Sequence, residues 1–231
     1  MIVVIGRVGE EVPESLVDQW RSRDAALLSP GDLSQPGWRH VPFSASDAGD
    51  GQAVVAGEEV AMSDIEAVVS TIDTITTADL PQIVRQDRAY VAAEMRAFLL
   101  AWLTTIRCPV LNPPTPLSLA GCGWRPEHWA LAAGALGIPT ETVAEPVEED
   151  QGARDDGGFT VSQVGEDVVD APSPAVAGWV RQLTAAAGMR TLHAEFRDVT
   201  PPRLVSARVV PDFRRAELAA AALAALDGTR P

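Results

Sequence analysis

The first half of the chain combines short, continuously apolar runs with stretches of helical periodicity. Ile2–Ile5 is a β-branched run that ends at Gly6, and Ala25–Leu28 and Ala67–Ser70 are two further apolar runs. Between the first two runs, residues 13–23 repeat apolar side chains at helical spacing. Continuous apolar strands separated by amphipathic helices are typical of a parallel sheet that is buried on both faces. The pattern therefore predicts an open, mainly parallel α/β sheet.

Two longer helices are predicted beyond these runs. Residues 81–105 carry a broad apolar face with most charged side chains on the other faces, and they predict the clearest helix of the chain. A strand is expected to end near Val110, because a proline-rich stretch follows it. Residues 125–136 predict a second helix, with Pro126 in its first turn and Gly137 as its C-cap.

The sequence changes character at residues 144–158, where acidic side chains are crowded among glycines. Like charges repel and apolar side chains are scarce there, so this segment is expected to be a flexible acidic linker. We therefore expect an α/β domain over residues 1–143, the linker over 144–158, and a small α+β part over 159–231. The last part predicts a hairpin over 159–169, a helix over 174–187, strands over 191–196 and 203–210, and a closing helix over 212–226.

The charge of the chain excludes several classes of partner. Affinity for nucleic acid depends on clustered cations, so a net charge of −14 argues against a nucleic-acid partner and against an anionic membrane surface. All 18 cationic residues are arginines. Without lysine, the chain has no Schiff-base lysine and no lysine to clamp a phosphate.

The cysteines and the start of the chain are less informative. Cys108 and Cys122 lack the spacing of metal ligands, and Cys108 is interpreted as a small buried hydrophobic residue. The apolar run at the start is too short for a signal peptide or a membrane-spanning helix, so a cytoplasmic location is expected.

A hexapeptide at the start of the 125–136 helix offers the densest set of candidate ligand contacts. The helix start is expected at the carboxyl edge of the parallel sheet, where open α/β folds bind ligands. Arg125 can hold a carboxylate through two hydrogen bonds, Trp124 can stack on a ligand, and His128 lies beside them. Asn112 is a further candidate, with a turn-forming role as the alternative. No set of catalytic residues stands out, and His40 and His193 are interpreted as structural.

The alternative for this hexapeptide is packing at a helix start. In that interpretation Trp129 lies in the core together with Leu131 and Ala132, Trp124 covers them, and His128 lies on the surface. The sequence leaves both interpretations open, and a helix-start packing role is the simpler one.

With the elements placed, the order of several segments carries a family resemblance. The segments are Tyr90-Val-Ala-Ala-Glu94 with its long helix, Val110-Leu-Asn-Pro113, Ala135-Leu-Gly-Ile-Pro-Thr140, Leu192-His-Ala-Glu-Phe196 and Leu204-Val-Ser-Ala-Arg-Val-Val-Pro-Asp212. In this order they resemble the ATP-grasp ligases, and in particular the branch of ribosomal-protein glutamate ligases and ATP-grasp peptide maturases. The resemblance implies a pre-ATP-grasp-like parallel-sheet domain and a small α+β remnant of an ATP-grasp C-terminal region.

The chain departs from that family at the parts that hold the nucleotide. The resemblance implies a nucleotide-covering lobe after Thr140, but the acidic linker stands there instead. Where the family ends a strand with a metal-binding Glu-x-Asn, this chain has Ser206-Ala207-Arg208. Glu195 is then the only remaining candidate for a metal ligand, and neither a metal nor a cofactor is expected.

Two functions remain open from the sequence. The first is a non-catalytic, ATP-grasp-derived binding or scaffold protein for a peptide, a protein partner or a neighbouring enzyme. The second is an amide- or ester-forming ligase whose ATP site is completed by a partner, or a repurposed shell with new chemistry. A homodimer is expected, because the absent lobe would otherwise leave an exposed apolar patch.

Overall fold

The computed structural model describes residues 1–40, 51–141 and 158–228. They fall into a first unit, Met1–Gly123 together with the C-terminal stretch from Asp212, and a second unit, Trp124–Pro211. The strands are β1 (Ile2–Ile5), β2 (Ala25–Leu28), β3 (Gln52–Val55), β4 (Glu58–Ala61), β5 (Ala67–Ser70), β6 (Gly158–Val164), β7 (Asp167–Val169), β8 (Thr191–Arg197) and β9 (Arg203–Arg208). The helices are α1 (Glu11–Gln19), α2 (Arg88–Thr105), α3 (Pro126–Ala135), α4 (Pro174–Ala186) and α5 (Ala216–Asp227).

A parallel sheet in the order β2-β1-β5 forms the centre of the first unit. Val110 adds a single parallel bridge to Val68 on the outer side of β5. The strands are continuously apolar because both faces are covered. Val3 and Ile5 belong to one apolar core with side chains of α2 and β3. The sequence prediction of an open parallel α/β sheet is confirmed.

The opposite face of β1 carries Ile2 and Val4, because successive side chains of a strand point to opposite faces. In the same unit α5 packs against α1. Trp20, at the end of α1, is buried, and its indole Nε1 donates to the Ala219 carbonyl over 3.1 Å. The C-terminal helix therefore completes the first unit, although it is separated from that unit's other elements along the chain.

Some predicted boundaries differ from the observed ones. The helix expected from residue 81 begins only at Arg88, because the preceding residues form turns in which the Ile83 and Asp87 N–H groups donate three residues back, over 3.1 and 2.9 Å. The Arg88 guanidinium donates to the carbonyls of Pro81 and Ile83 over 2.8 Å each. Residues 52–61 form the hairpin β3–β4. The polar, glycine-containing residues 49–57 are compatible with a hairpin or an exposed loop, and positions 49 and 50 lie outside the described residues. Residues 144–157 of the predicted linker also lie outside them, and Gly158 begins β6. The expected domain limits at 143 and 159 stay a prediction.

The second unit is a four-stranded antiparallel sheet in the order β7-β6-β8-β9. Thr140 extends it by one parallel bridge to Leu204. Helices α3 and α4 contact each other, α4 contacts β6 and β8, and α3 contacts β9. The aromatic core joins sheet to helix, because Phe196 stacks with Phe159 on β6 and with Trp179 on α4. The hairpin, the helix α4 and the strands β8 and β9 of this unit are elements that the sequence predicts for the small α+β part. The unit also contains α3, which the sequence assigns to the first domain, and it lacks the closing helix α5, which belongs to the first unit. No helix among the described residues of either unit is long and apolar enough to span a membrane.

At the carboxyl edge of the parallel sheet, Arg7 joins the loop after β1 to the loop after β5. Its Nε and Nη2 donate to the Asp79 carboxylate over 2.6 and 3.2 Å, Nη2 also donates to the Thr74 carbonyl over 3.0 Å, and Nη1 donates to Glu10 over 3.3 Å. The Asp79 side chain is only 7% exposed and also accepts from the Thr76 backbone N–H and hydroxyl. At this edge, the connection that follows β1 and the connection that follows β5 run to opposite sides of the sheet. In an open α/β sheet, the point where two such connections diverge is the usual ligand crevice.

The ion pair favours the charged form of both partners. Burial raises the pKa of Asp79, but hydrogen bonds from Arg7 and Thr76 lower that pKa by more, so it lies below its ordinary value. The hydrogen bond to Asp79 likewise raises the pKa of Arg7. A carboxylate whose pKa is depressed by folding contributes stability that is complete above its unfolded pKa, about 3.9. That stability is lost as the pH falls through the folded pKa.

Replacing Gly6 by alanine should destabilise the first unit. A Cβ at position 6 would lie 2.4 Å from the Pro13 Cβ and 2.9 Å from the Thr71 Oγ1. Overpacking of this kind costs about 1–3 kcal/mol, which a urea unfolding curve measures. Gly134→Ala in α3 is the control: its Cβ would meet no atom within 4 Å, and helical Gly→Ala stabilises by about 0.5–1 kcal/mol. Similar destabilisation by both variants would contradict the steric explanation.

Asp79→Asn should lower the free energy of unfolding at pH 7 by about 1–3 kcal/mol, because the partly buried Arg7 cation loses its carboxylate partner and keeps only a neutral amide. The difference from wild type should shrink as the pH is lowered from about 5 to 2, since the wild-type carboxylate is then protonated. Asp18→Asn, which removes an exposed pair with Arg21, should change stability by less than about 1 kcal/mol. A pH-independent difference between wild type and Asp79→Asn would show that the ionised pair is not the cause.

Candidate functional site

In the second unit, one face of the antiparallel sheet carries a set of polar side chains. Cross-strand partners share a face, so Thr160, Glu195 and Ser206 form one row and Ser162, His193 and Arg208 form the next. The residues between them, such as Phe196, face α4 on the other side of the sheet. We call these six residues the polar sheet face.

The polar groups of this face bond to one another. Ser162 is buried, and its Oγ lies 2.9 Å from Nδ1 of His193. The Ser206 hydroxyl donates to the Glu195 carboxylate over 2.9 Å. Arg208 lies directly across from His193, diagonal to Glu195. His193, which the sequence leaves isolated, is therefore part of a cross-strand hydrogen bond.

This donor set does not fit a magnesium ion. Mg²⁺ requires a near-octahedral set of oxygen ligands that usually includes carboxylates. Glu195 is the only carboxylate of the polar sheet face, it already accepts from Ser206, and the cation Arg208 lies on the same face. Within residues 1–40, 51–141 and 158–228, no group of three or more His, Cys, Asp or Glu side chains could hold a metal ion.

The start of α3 brings together three of the four predicted ligand contacts. Arg125 is the residue before the helix, with an extended backbone, and its carbonyl accepts from the N–H groups of His128 and Trp129. The Arg125 and His128 side chains are exposed, and Trp124 is half-buried. The Trp124 ring packs edge-on against Trp129 with centroids 4.8 Å apart. An exposed arginine thus follows the half-buried Trp124 directly in the chain, and a guanidinium can bind a carboxylate through two hydrogen bonds.

The packing alternative for this segment is only partly right. Trp129 is buried as that interpretation expects, but Leu131 is 74% exposed. The buried partner along the helix is Ala133, four residues after Trp129 and on the same side of the helix. Leu131 lies two residues after Trp129 and points away, so its apolar character was misleading.

Asn112, the fourth predicted contact, belongs to the first unit. It directly follows the Val110–Leu111 segment and is 7% exposed. Trp124, Arg125 and His128 belong to the second unit. The four candidates are therefore divided between the two units.

Two polar groupings were missed by reasoning from the sequence. The first is the Arg7–Asp79 pair, although Arg7 directly follows a predicted strand and the Thr76–Asp79 segment has the spacing of a capping box. The second is the Ser162–His193 contact. The alternation of polar and apolar residues predicts which side chains of a strand share a face. It does not predict the register between two strands, which here places Ser162 opposite His193.

Comparison with known proteins gives matches at the level of structure. No protein-family model matches the sequence, and no curated protein matches it significantly. Among solved structures, the macrocyclase MdnC from Microcystis aeruginosa MRC, bound with the precursor peptide MdnA, matches with a TM-score of 0.68, 10% identity and 99% of each chain covered. A RiPP-associated ATP-grasp ligase of Chryseobacterium gregarium, in complex with ADP and a leader and core peptide, gives 0.66 at 10% identity and covers 100% of this chain and 97% of its own. The ATP-grasp ligase PsnB, complexed with minimal precursor, Mg and ADP, gives 0.65 at 14% identity with 98% of both chains covered.

These similarities extend over nearly the whole chain and agree with the order of segments that carries the sequence resemblance. Identities of 10–14% establish the fold and leave the activity open. The protein thus has the α/β fold of the ATP-grasp ligases.

Proposed function

We propose that this chain is a non-catalytic ATP-grasp-like protein that binds a peptide or a peptide segment of a protein partner. The observation that carries the proposal is the composition of the polar sheet face. Its single carboxylate, Glu195, is bonded to Ser206, and Arg208 lies where a metal ligand would be expected from the family resemblance.

The electrostatics of phosphoryl transfer support the non-catalytic part. Catalysis of that kind depends on Mg²⁺ and on cationic side chains that neutralise the phosphates. One paired carboxylate next to a cation is a poor magnesium site, and no lysine exists anywhere in the chain to bind phosphate. Only the sixteen residues 142–157 separate Glu141 from β6, which is too short for a nucleotide-covering lobe.

The peptide part of the proposal rests on the structural neighbours. Each of the three is a peptide-modifying ligase or is complexed with a precursor peptide. A protein of this fold can lack nucleotide chemistry and still bind a peptide, because function resides in individual sites and not in the fold itself. Arg125 can bind a carboxylate of such a peptide, with Trp124 and His128 as neighbouring contacts; Asn112 is the corresponding candidate in the first unit.

Calorimetric titration with a non-hydrolysable ATP analogue and Mg²⁺ should give only the heat of dilution. A micromolar dissociation constant, which corresponds to about −8 kcal/mol, would contradict the non-catalytic assignment and favour the ligase alternative. Thermal unfolding with and without nucleotide is the independent check, since a ligand that binds only the folded state raises its stability.

Selection from a displayed random-peptide library should enrich a defined class of peptides on the immobilised protein. Arg125→Ala should weaken binding of peptides with a free carboxylate by about tenfold, or 1.4 kcal/mol, because a bidentate contact is lost. Arg21→Ala, which removes an exposed arginine of the first unit, is the matched control and should leave the affinity unchanged. Failure to enrich any peptide class would contradict the binding role.

A further inference from the structure

The exposed large apolar side chains of the first unit lie on segments at the carboxyl edge of its parallel sheet. Among its described residues these are Val8, Val84, Tyr90 and Leu117, which are 75, 64, 69 and 66% exposed. Val8 follows β1, Val84 and Tyr90 lie between β5 and the first turn of α2, and Leu117 lies in the loop after Val110. Each therefore belongs to a segment that leaves the carboxyl end of a parallel strand. We call these four residues the edge patch.

Hydrogen bonds hold the three supporting loops in a fixed arrangement. Arg7 binds the loop after β5 through Asp79 and Thr74. Asp73 in that loop accepts from the Ser118 hydroxyl over 2.7 Å and, through its carbonyl, from the Leu119 N–H over 2.8 Å. The residues of the edge patch therefore lie on or next to loops that are hydrogen-bonded to one another.

The loop that carries Leu117 is itself a tight turn. Thr115 and Ser118 exchange backbone hydrogen bonds of 2.9 and 3.1 Å, and the Arg96 guanidinium of α2 donates to the Pro116 carbonyl. Gly123 has a left-handed φ of 62°, and a Cβ there would lie 2.8 Å from the Leu117 Cβ. Leu117 is therefore held outward by local geometry, and little ordering is needed before it contacts a partner.

The charges around the edge patch are asymmetric. The cations Arg7, Arg88 and Arg96 donate to acceptors inside the unit, which leaves Arg85 as the exposed cation of these loops. Carboxylates face solvent from the same segments, at Glu10, Asp73 and Asp87. Apolar side chains rimmed by negative charge favour a partner that combines apolar residues with lysine or arginine.

We propose that the edge patch binds a short peptide segment in which apolar and cationic side chains are mixed. This proposal rests on the proposed function and assigns a peptide-binding surface to the carboxyl edge of the first unit, in addition to the candidate contacts at the start of α3. Tyr90 and Leu117 supply the apolar contacts, since large aromatic and apolar side chains dominate binding at interfaces. Asp87 and Asp73 select for cations. The Arg7–Asp79 pair acts as the support that holds the loops.

Fluorescence anisotropy with a labelled nine-residue peptide of alternating leucine and lysine tests this site. The wild-type protein should bind it, and Tyr90→Ser/Leu117→Ser should bind at least tenfold more weakly. Leu131→Ser/Leu136→Ser, which changes exposed apolar residues of the second unit, should bind as the wild type does.

The same measurement tests the role of charge. Asp87→Asn should weaken binding of the leucine–lysine peptide. Asp24→Asn, which changes an exposed acid at the amino end of β2, should not. Peptides with glutamate for lysine or serine for leucine should not bind.

The outcomes separate this inference from the proposed function. If the library yields binders but the wild-type protein does not bind the leucine–lysine peptide, or Tyr90→Ser/Leu117→Ser binds that peptide equally well, the site is wrong and the proposed function stands. If neither the library nor the leucine–lysine peptide binds, both are wrong. If light scattering shows a dimer that Tyr90→Ser/Leu117→Ser converts to a monomer, a second copy of the chain occupies the edge patch and the peptide proposal is overturned. Circular-dichroism melting curves confirm that each variant is folded.

Discussion

The ion pair between Arg7 and Asp79 determines the character of the carboxyl edge of the parallel sheet. The pair lies where the connections that follow β1 and β5 diverge. Most N–H groups of the Arg7 guanidinium donate to acceptors of the protein there, whereas an unpaired guanidinium could bind an anionic ligand. Because both partners are largely removed from water, the pair depends on its hydrogen bonds to offset desolvation. It joins two loops and leaves the surrounding surface apolar and acidic.

The second unit keeps its aromatic core and its polar sheet face on opposite sides of one sheet. Its four-stranded sheet and two helices are held by an aromatic core around Phe196, which does not involve the polar sheet face. The residues of that face bond to one another across the strands, with Ser206 on Glu195 and Ser162 on His193, and do not form a cluster of metal-binding carboxylates.

The two units offer different kinds of surface to a partner. The start of α3 has an exposed arginine, whose guanidinium is suited to a carboxylate, and a pair of packed tryptophans in the same segment. The edge patch of the first unit presents apolar side chains among carboxylates, suited to a cationic apolar segment. A peptide carries both kinds of group, whereas a nucleotide carries neither lysine-like cations nor aliphatic side chains. The predicted homodimer stays a prediction, with the edge patch as the surface on which it can be tested.

The sequence by itself determined the elements and their class. Continuous apolar runs such as Ile2–Ile5 predict buried parallel strands, and their exact bounds are confirmed because burial on both faces leaves no polar position to mislead. The order of segments also predicted the ATP-grasp-like fold. Only the tertiary structure decided what depends on side chains distant along the chain: the Arg7–Asp79 pair, the register that joins Ser162 to His193, and the packing of α5 on α1. It also decided that Leu131 faces solvent and that α2 begins at Arg88. Local periodicity indicates which residues avoid water, whereas pairing between positions 31 or more residues apart is set by how the strands and helices meet in space.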